Sequence, residues 1–194
     1  MRVTPKAAAA IIACLCMTSC WVPEEFTAVL NVDKTKNFQF TYDGTVAFGP
    51  ALGQIKERGQ LSPADEAEMK KGEAGLRKEP GFTSVEYVGR GRFRVRYQEA
   101  GPIQSGKKIF LELVEFHVDP SGRVRILGTE ISAENRQQLS GVALKLDGTL
   151  KVTTELTVVE HNATSTPWFG GLLGAYEWHI TLDQARRPTI LLQP

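Results

Sequence analysis

The chain of 194 residues is poor in cysteine, and the three it has, Cys14, Cys16 and Cys20, all lie at its start. No disulfide can close a loop after residue 20, so the fold must rest on its core. No apolar run reaches the roughly 18 residues that a membrane-spanning helix needs. Charge of one sign is lacking too: 23 Lys and Arg face 22 Asp and Glu, which excludes the strongly basic field of a nucleic-acid binder. There is no G-x-S-x-G elbow and no H-E-x-x-H, and His117, His161 and His179 do not stand at metal-ligand spacing. What the chain does have is 42% hydrophobic residues in regular alternation, too many for a disordered chain and enough for one core.

Arg2 and Lys6 precede an unbroken apolar stretch from Ala7 to Met17, of the length of a secretory signal's apolar region. Met17-Thr18-Ser19-Cys20 follows. These residues resemble the lipobox of bacterial lipoproteins, with Met17 where Leu is commonest. The resemblance implies cleavage before Cys20, diacylglycerol on its thiol and acylation of the new amine. The other reading is an ordinary secretory signal with a chance cysteine. Cysteine usage favours the lipid, because Cys20 would otherwise remain a lone thiol in an oxidising compartment. The expected organisation is a signal peptide over 1–19, a lipidated cysteine and short tether over 20–25, and a globular domain over 26–194, placed in the cell envelope outside the cytoplasm. Removing Arg2 and Lys6 leaves one fewer basic than acidic residue, a formal charge of −1. Acyl chains on Cys20 must then hold the membrane, at about 0.8 kcal/mol per buried methylene. The tether from Trp21 to Glu25 reaches at most about 18 Å.

Period-two alternation dominates the mature chain. Phe26, Ala28, Leu30 and Val32 face Phe38, Phe40 and Tyr42 across a polar turn, which predicts a hairpin pairing 32 with 38, 30 with 40 and 28 with 42. A short helix is expected over 50–58, and a second from the Ser62 N-cap and Pro63 to about Lys78. Val85 and Tyr87 should pair with Phe93, Val95 and Tyr97. Residues 109–118, apolar on both faces, read as a central strand, 123–127 as a strand, and 132–139 as a short helix. Leu144 and Leu146 should pair with Val152 and Leu150 across a loop of Asp147 to Thr149, and strands over 175–182 and 189–192 finish the chain. The fold expected is α+β: a single domain, mostly one antiparallel sheet, with one or two helices packed on it after the first hairpin.

Few motifs suggest chemistry. Gly101 to Lys107 matches the start of a P-loop, but Lys108 replaces the magnesium-binding Ser or Thr and Pro102 removes a needed N–H. No nucleotide is expected. Glu112, Glu115, Glu155 and Glu160 nominate no acid/base pair, and no catalytic residue, cofactor or metal site is assigned. Arg92, Arg94 and Arg96 form a row on one strand face, either a dock for lipid phosphates or an acidic partner, or a solvated guard on an edge strand paired with Glu66, Glu68 and Glu73. Trp168, Phe169, Leu172 and Leu173 sit among glycines in a loop. They either close one end of the core, the commoner outcome, or stay exposed and bind something apolar.

Beyond the leader, the chain resembles uncharacterised envelope lipoproteins in its hairpin with Tyr42-Asp43-Gly44, in Glu79 to Phe82, in Tyr87 to Phe93 and in Tyr176-Glu177-Trp178. The order of hairpin, helix, strands and late Trp is similar to that of LppM-like lipoproteins, which implies a glycolipid-binding domain; only Cys20 carries over as a functional residue. Two classes of function follow: a non-enzymatic module at the membrane surface that binds a lipid, glycolipid or envelope protein, and a hydrolase or transferase acting on envelope substrates.

Overall fold

The computed structural model describes residues 21–141, 144–168 and 174–194. Strands β1 (Trp21–Val32) and β2 (Asn37–Phe48) form the first hairpin, and Val32 faces Phe38, Leu30 faces Phe40 and Ala28 faces Tyr42, the register that apolar alternation predicts. The turn is closed by Asp33, whose Oδ1 accepts from the backbone N–H of Thr35 at 2.8 Å and of Asn37 at 2.9 Å. Helix α1 (Gly49–Arg58) buries Ala51 and Leu52. Helix α2 (Pro63–Leu76) starts where its cap predicts, with Ser62 accepting from the Asp65 N–H at 3.1 Å. It buries no residue of its own and lies along β3 (Phe82–Gly89).

Strand β4 (Arg92–Pro102) pairs with both β2 and β3, and Val85 faces Val95 and Tyr87 faces Phe93 as expected. The second half supplies β5 (Lys108–Ile109), β6 (Val114–Val118), β7 (Val124–Gly128), α3 (Ala133–Ser140), β8 (Asp147–Thr154), β9 (Thr157–His161), β10 (Tyr176–Thr181) and β11 (Thr189–Gln193). One sheet runs β10-β8-β1-β2-β4-β3 and the other β5-β6-β7-β11-β9. Their apolar faces share one buried cluster. Phe38 of the first meets Phe116 of the second with ring centroids 5.2 Å apart.

Several expectations are corrected. The strands form two sheets rather than one. The helices are not segregated after the first hairpin, because α3 falls between β7 and β8. The chain is mostly β, and β8 runs parallel to β1. No hairpin turns at Asp147 to Thr149: those residues open β8, and between Thr154 and Thr157 the chain crosses to β9 in the other sheet. The cause is Phe26, whose ring fills the space where a Cβ on Gly148 would sit. That glycine is a strand residue under an aromatic ring, not a turn residue. Alternation survives the correction, so Leu144, Leu146, Leu150, Val152 and Leu156 are all buried.

Residues 109–118 do not form one strand. Phe110, Leu111 and Glu112 take left-handed φ of 27°, 53° and 58° and separate β5 from β6. The run is apolar on both faces because the turn itself enters the core, with Phe110 4.5 Å from Tyr42 and 4.4 Å from Tyr97 between ring centroids. Finally, β1 begins at Trp21. The residues expected as a tether are already in the sheet, where Trp21 packs 5.2 Å from both Phe48 and Phe93.

Candidate functional site

The arginine row is where the sequence places it, on one side of β4, but β4 lies inside the sheet and β3 forms the edge. Its partners are also different. Arg92 forms a two-pronged pair with Glu24, Nε to Oε2 at 2.7 Å and Nη2 to Oε1 at 2.9 Å, and Glu24 is only 6% exposed. Asp43 accepts from Arg94 Nη2 at 3.3 Å and from Arg96 Nε at 3.0 Å. The expected helix acids serve elsewhere. Glu66 accepts from the Tyr87 hydroxyl and the Arg90 N–H, Glu73 pairs with Arg77, and Glu68 with Lys71. Glu24 matches Arg92 alone, while Asp43 is shared between the exposed Arg94 and Arg96, so the row keeps one more cation than it has acids.

The four glutamates scatter. Glu112 pairs with Lys108, Glu160 with Arg125, and Glu155 accepts from the Lys34 N–H at 3.2 Å. Glu115 lies 2.8 Å from His117 and 2.9 Å from Arg187, and the hydrogen bond from Arg187 holds its carboxyl below the ordinary carboxylate range. His179 approaches Asp147 at 3.3 Å, and His161 packs on Tyr176. Among the described residues, no group of three His, Cys, Asp or Glu stands together as metal ligands, and no helix is long and apolar enough to cross a membrane.

A hydrogen-bonding concavity lies at the end of the first sheet farthest from Trp21. A groove of about 620 Å³ opens where the β1–β2 turn, the end of β4 and the end of β8 meet. Its floor is one rung of the sheet: Thr153 stands beside Asn31, Asn31 opposite Gln39, and Gln39 opposite Ala100. These positions alternate with buried Val152, Leu30, Phe38 and Phe40, so their side chains face outward. Ala100 leaves the depression, and Gly101, opposite Phe38, continues it. The Thr153 hydroxyl donates to Asn31 Oδ1, which leaves the Asn31 amide N–H groups and the whole Gln39 amide for a ligand.

Asp33, Asn37, Thr154 and Glu155 complete the lining. Hydrogen bonds from the Thr35 hydroxyl and the Asn37 N–H hold the Asp33 carboxyl below its ordinary range. It is an ionised acceptor near neutral pH, unsuited to act as a general acid. The arrangement presents amides, hydroxyls and carboxylates, groups that can hydrogen-bond a polyhydroxylated ligand.

Trp168 stands at the same end. Tyr176 is opposite Val152, so Gly174 lies level with Thr154, and the Trp168 backbone approaches Gly174. The Trp168 side chain is 75% exposed and does not close the core, which corrects that expectation for this residue. Phe169, Leu172, Leu173 and Cys20 lie outside the described residues. The groove was missed in the sequence because it depends on β8 joining β1 in parallel. Its only sequence signal is a set of small polar residues at the outward positions of three strands.

No family model matches the chain. No curated protein matches it in sequence. Among solved structures, it shows a weak likeness to the folded domain of LppM from Mycobacterium tuberculosis, with a TM-score of 0.41 and 10% identity, covering 87% of each chain.

Proposed function

We propose that the chain is a lipid-anchored envelope protein whose domain is a non-enzymatic binding module, taking the hydroxyl-rich part of a glycan or glycolipid in the groove between the β1–β2 turn and the ends of β4 and β8. Anchoring is supported by the leader, with Arg2 and Lys6, the apolar stretch to Met17, and Thr18-Ser19-Cys20. The observation that carries the binding reading is the rung Thr153–Asn31–Gln39–Ala100, which sets free amide groups over a depression of ligand size. Trp168, exposed at the same end, offers an aromatic face to the apolar side of a sugar ring.

A glycan array probed with the full-length detergent-purified protein tests this. Retention of a glycan that falls at least tenfold in both Asn31→Ala and Gln39→Ala is expected, with weaker retention in Trp168→Ser. Retention unchanged in all three variants, or no glycan retained, would contradict the reading.

A further inference from the structure

Cys20 is joined directly to Trp21, the first residue of β1, so no flexible linker separates the lipid site from the sheet. Adjacent Cα atoms are about 3.8 Å apart. Whatever surrounds Trp21 must therefore sit at the lipid surface if Cys20 carries the acyl chains. Trp21 is opposite Phe48, and the Phe48 N–H donates to the Gly91 carbonyl at 2.8 Å. The turn joining β3 to β4 thus lies two strand spacings, about 10 Å, from Trp21.

That turn carries an unusual pair. Val88 is 53% exposed, one of three large apolar side chains left open among the described residues. Arg90 is exposed on a backbone of φ 55°, and its N–H is fixed by Glu66. Among the described residues, no carboxylate pairs with its guanidinium, whereas Arg92 pairs with Glu24 and Arg94 and Arg96 share Asp43. An apolar side chain beside an unpaired cation, held rigidly next to a lipid-bearing residue, matches the chemistry of a phospholipid boundary, where a methyl-rich group enters and a guanidinium meets phosphate.

We propose that the Val88–Arg90 tip of this turn docks on the leaflet that holds the Cys20 acyl chains, Val88 entering the boundary and Arg90 pairing with anionic phospholipid. The inference rests on the anchoring part of the function proposed above. It stands the domain on end. β1 spans 12 residues, about 36 Å at its usual rise, so the groove and Trp168 face away from the membrane. The groove then takes a ligand that extends well outside that leaflet, which favours an envelope glycan over a short lipid headgroup.

The test uses the full-length lipidated protein in vesicles of phosphatidylethanolamine and phosphatidylglycerol, with a nitroxide placed at Val88→Cys or at Lys34→Cys on the opposite end. Both sites are exposed, so the fold is preserved. The label at 88 should collide more with oxygen than with an aqueous nickel chelate, and the label at 34 should show the reverse. Adding Arg90→Glu should move the label at 88 toward water. A label at 88 that stays aqueous in vesicle-bound protein overturns the docking proposal alone. Protein that carries no acyl chains and leaves the vesicles overturns the anchoring reading and the docking with it.

Discussion

At the scale of single residues, the buried carboxylate is the point of greatest consequence. Glu24 is almost fully enclosed and has one cationic partner, Arg92. Deleting that partner strands a charge away from water, which costs about 3–5 kcal/mol. Arg92→Ala should therefore lower stability in urea denaturation by that amount, while Glu24→Gln with Arg92→Gln should recover much of the loss. Arg94→Ala breaks an exposed pair and should cost less than about 1 kcal/mol. Asn162 is a structural clamp. Its Oδ1 accepts from the Trp178 indole at 2.7 Å and the Thr189 N–H at 2.8 Å, and its Nδ2 donates to the Arg187 carbonyl. The partners of the arginines were not legible in the sequence for the same reason: Asp43 and Arg96 meet because β2 pairs with β4, a choice that alternation alone does not make.

At the scale of elements, alternation decided which face of a strand is buried and left open which strand it joins. The first hairpin was readable because turn, spacing and parity agree, and the α2 start because Ser62 and Pro63 are local signals. The Asp147-Gly148 pair misled because aspartate and glycine mark turns, while here the glycine makes room for Phe26. Phe26 is flanked in the same way by Gly44 on β2, where an added Cβ would also collide with it. Gly148→Ala should then destabilise by about 1–3 kcal/mol through overpacking, whereas Gly53→Ala, with open space around it inside α1, should be neutral or stabilise by up to about 1 kcal/mol. Thermal or urea melts of the two variants check the contrast. Leu156→Ala should cost about 2–5 kcal/mol, as a buried leucine does.

At the scale of the whole molecule, pH acts through carboxylates held ionised by the fold. Glu115 is lowered from 4.5 chiefly by the hydrogen bond from Arg187. Asp119 is lowered to about 2 chiefly by the Ser121 hydroxyl, with Arg123 adding to it. Asp33 is lowered by Thr35 and Asn37. A carboxyl whose folded value lies below its unfolded value stabilises the fold above the unfolded value and loses that contribution as pH falls through the folded one. Stability should decline as pH drops from about 4.5 toward 2, and Asp119→Asn should flatten the lower part of that decline in pH-dependent melts.

The same view of the whole molecule places Trp21, the residue after the proposed lipid site, at one end of β1 and the groove with Trp168 at the other. Polarity of this kind has no short sequence signal, since it follows from where β1, β8 and β10 lie in one sheet. It also ties the proposed binding site to the proposed anchor, because holding the chain at Cys20 would turn the groove outward from the membrane. The most direct measurement is the intact mass of full-length protein expressed in a bacterium and extracted from its membranes with detergent. A chain of residues 20–194 carrying a diacylglyceryl group on Cys20 and an acylated amine is predicted, with that mass lost in Cys20→Ala. A chain that keeps its leader, or one that begins elsewhere with a free Cys20 thiol, would contradict the account.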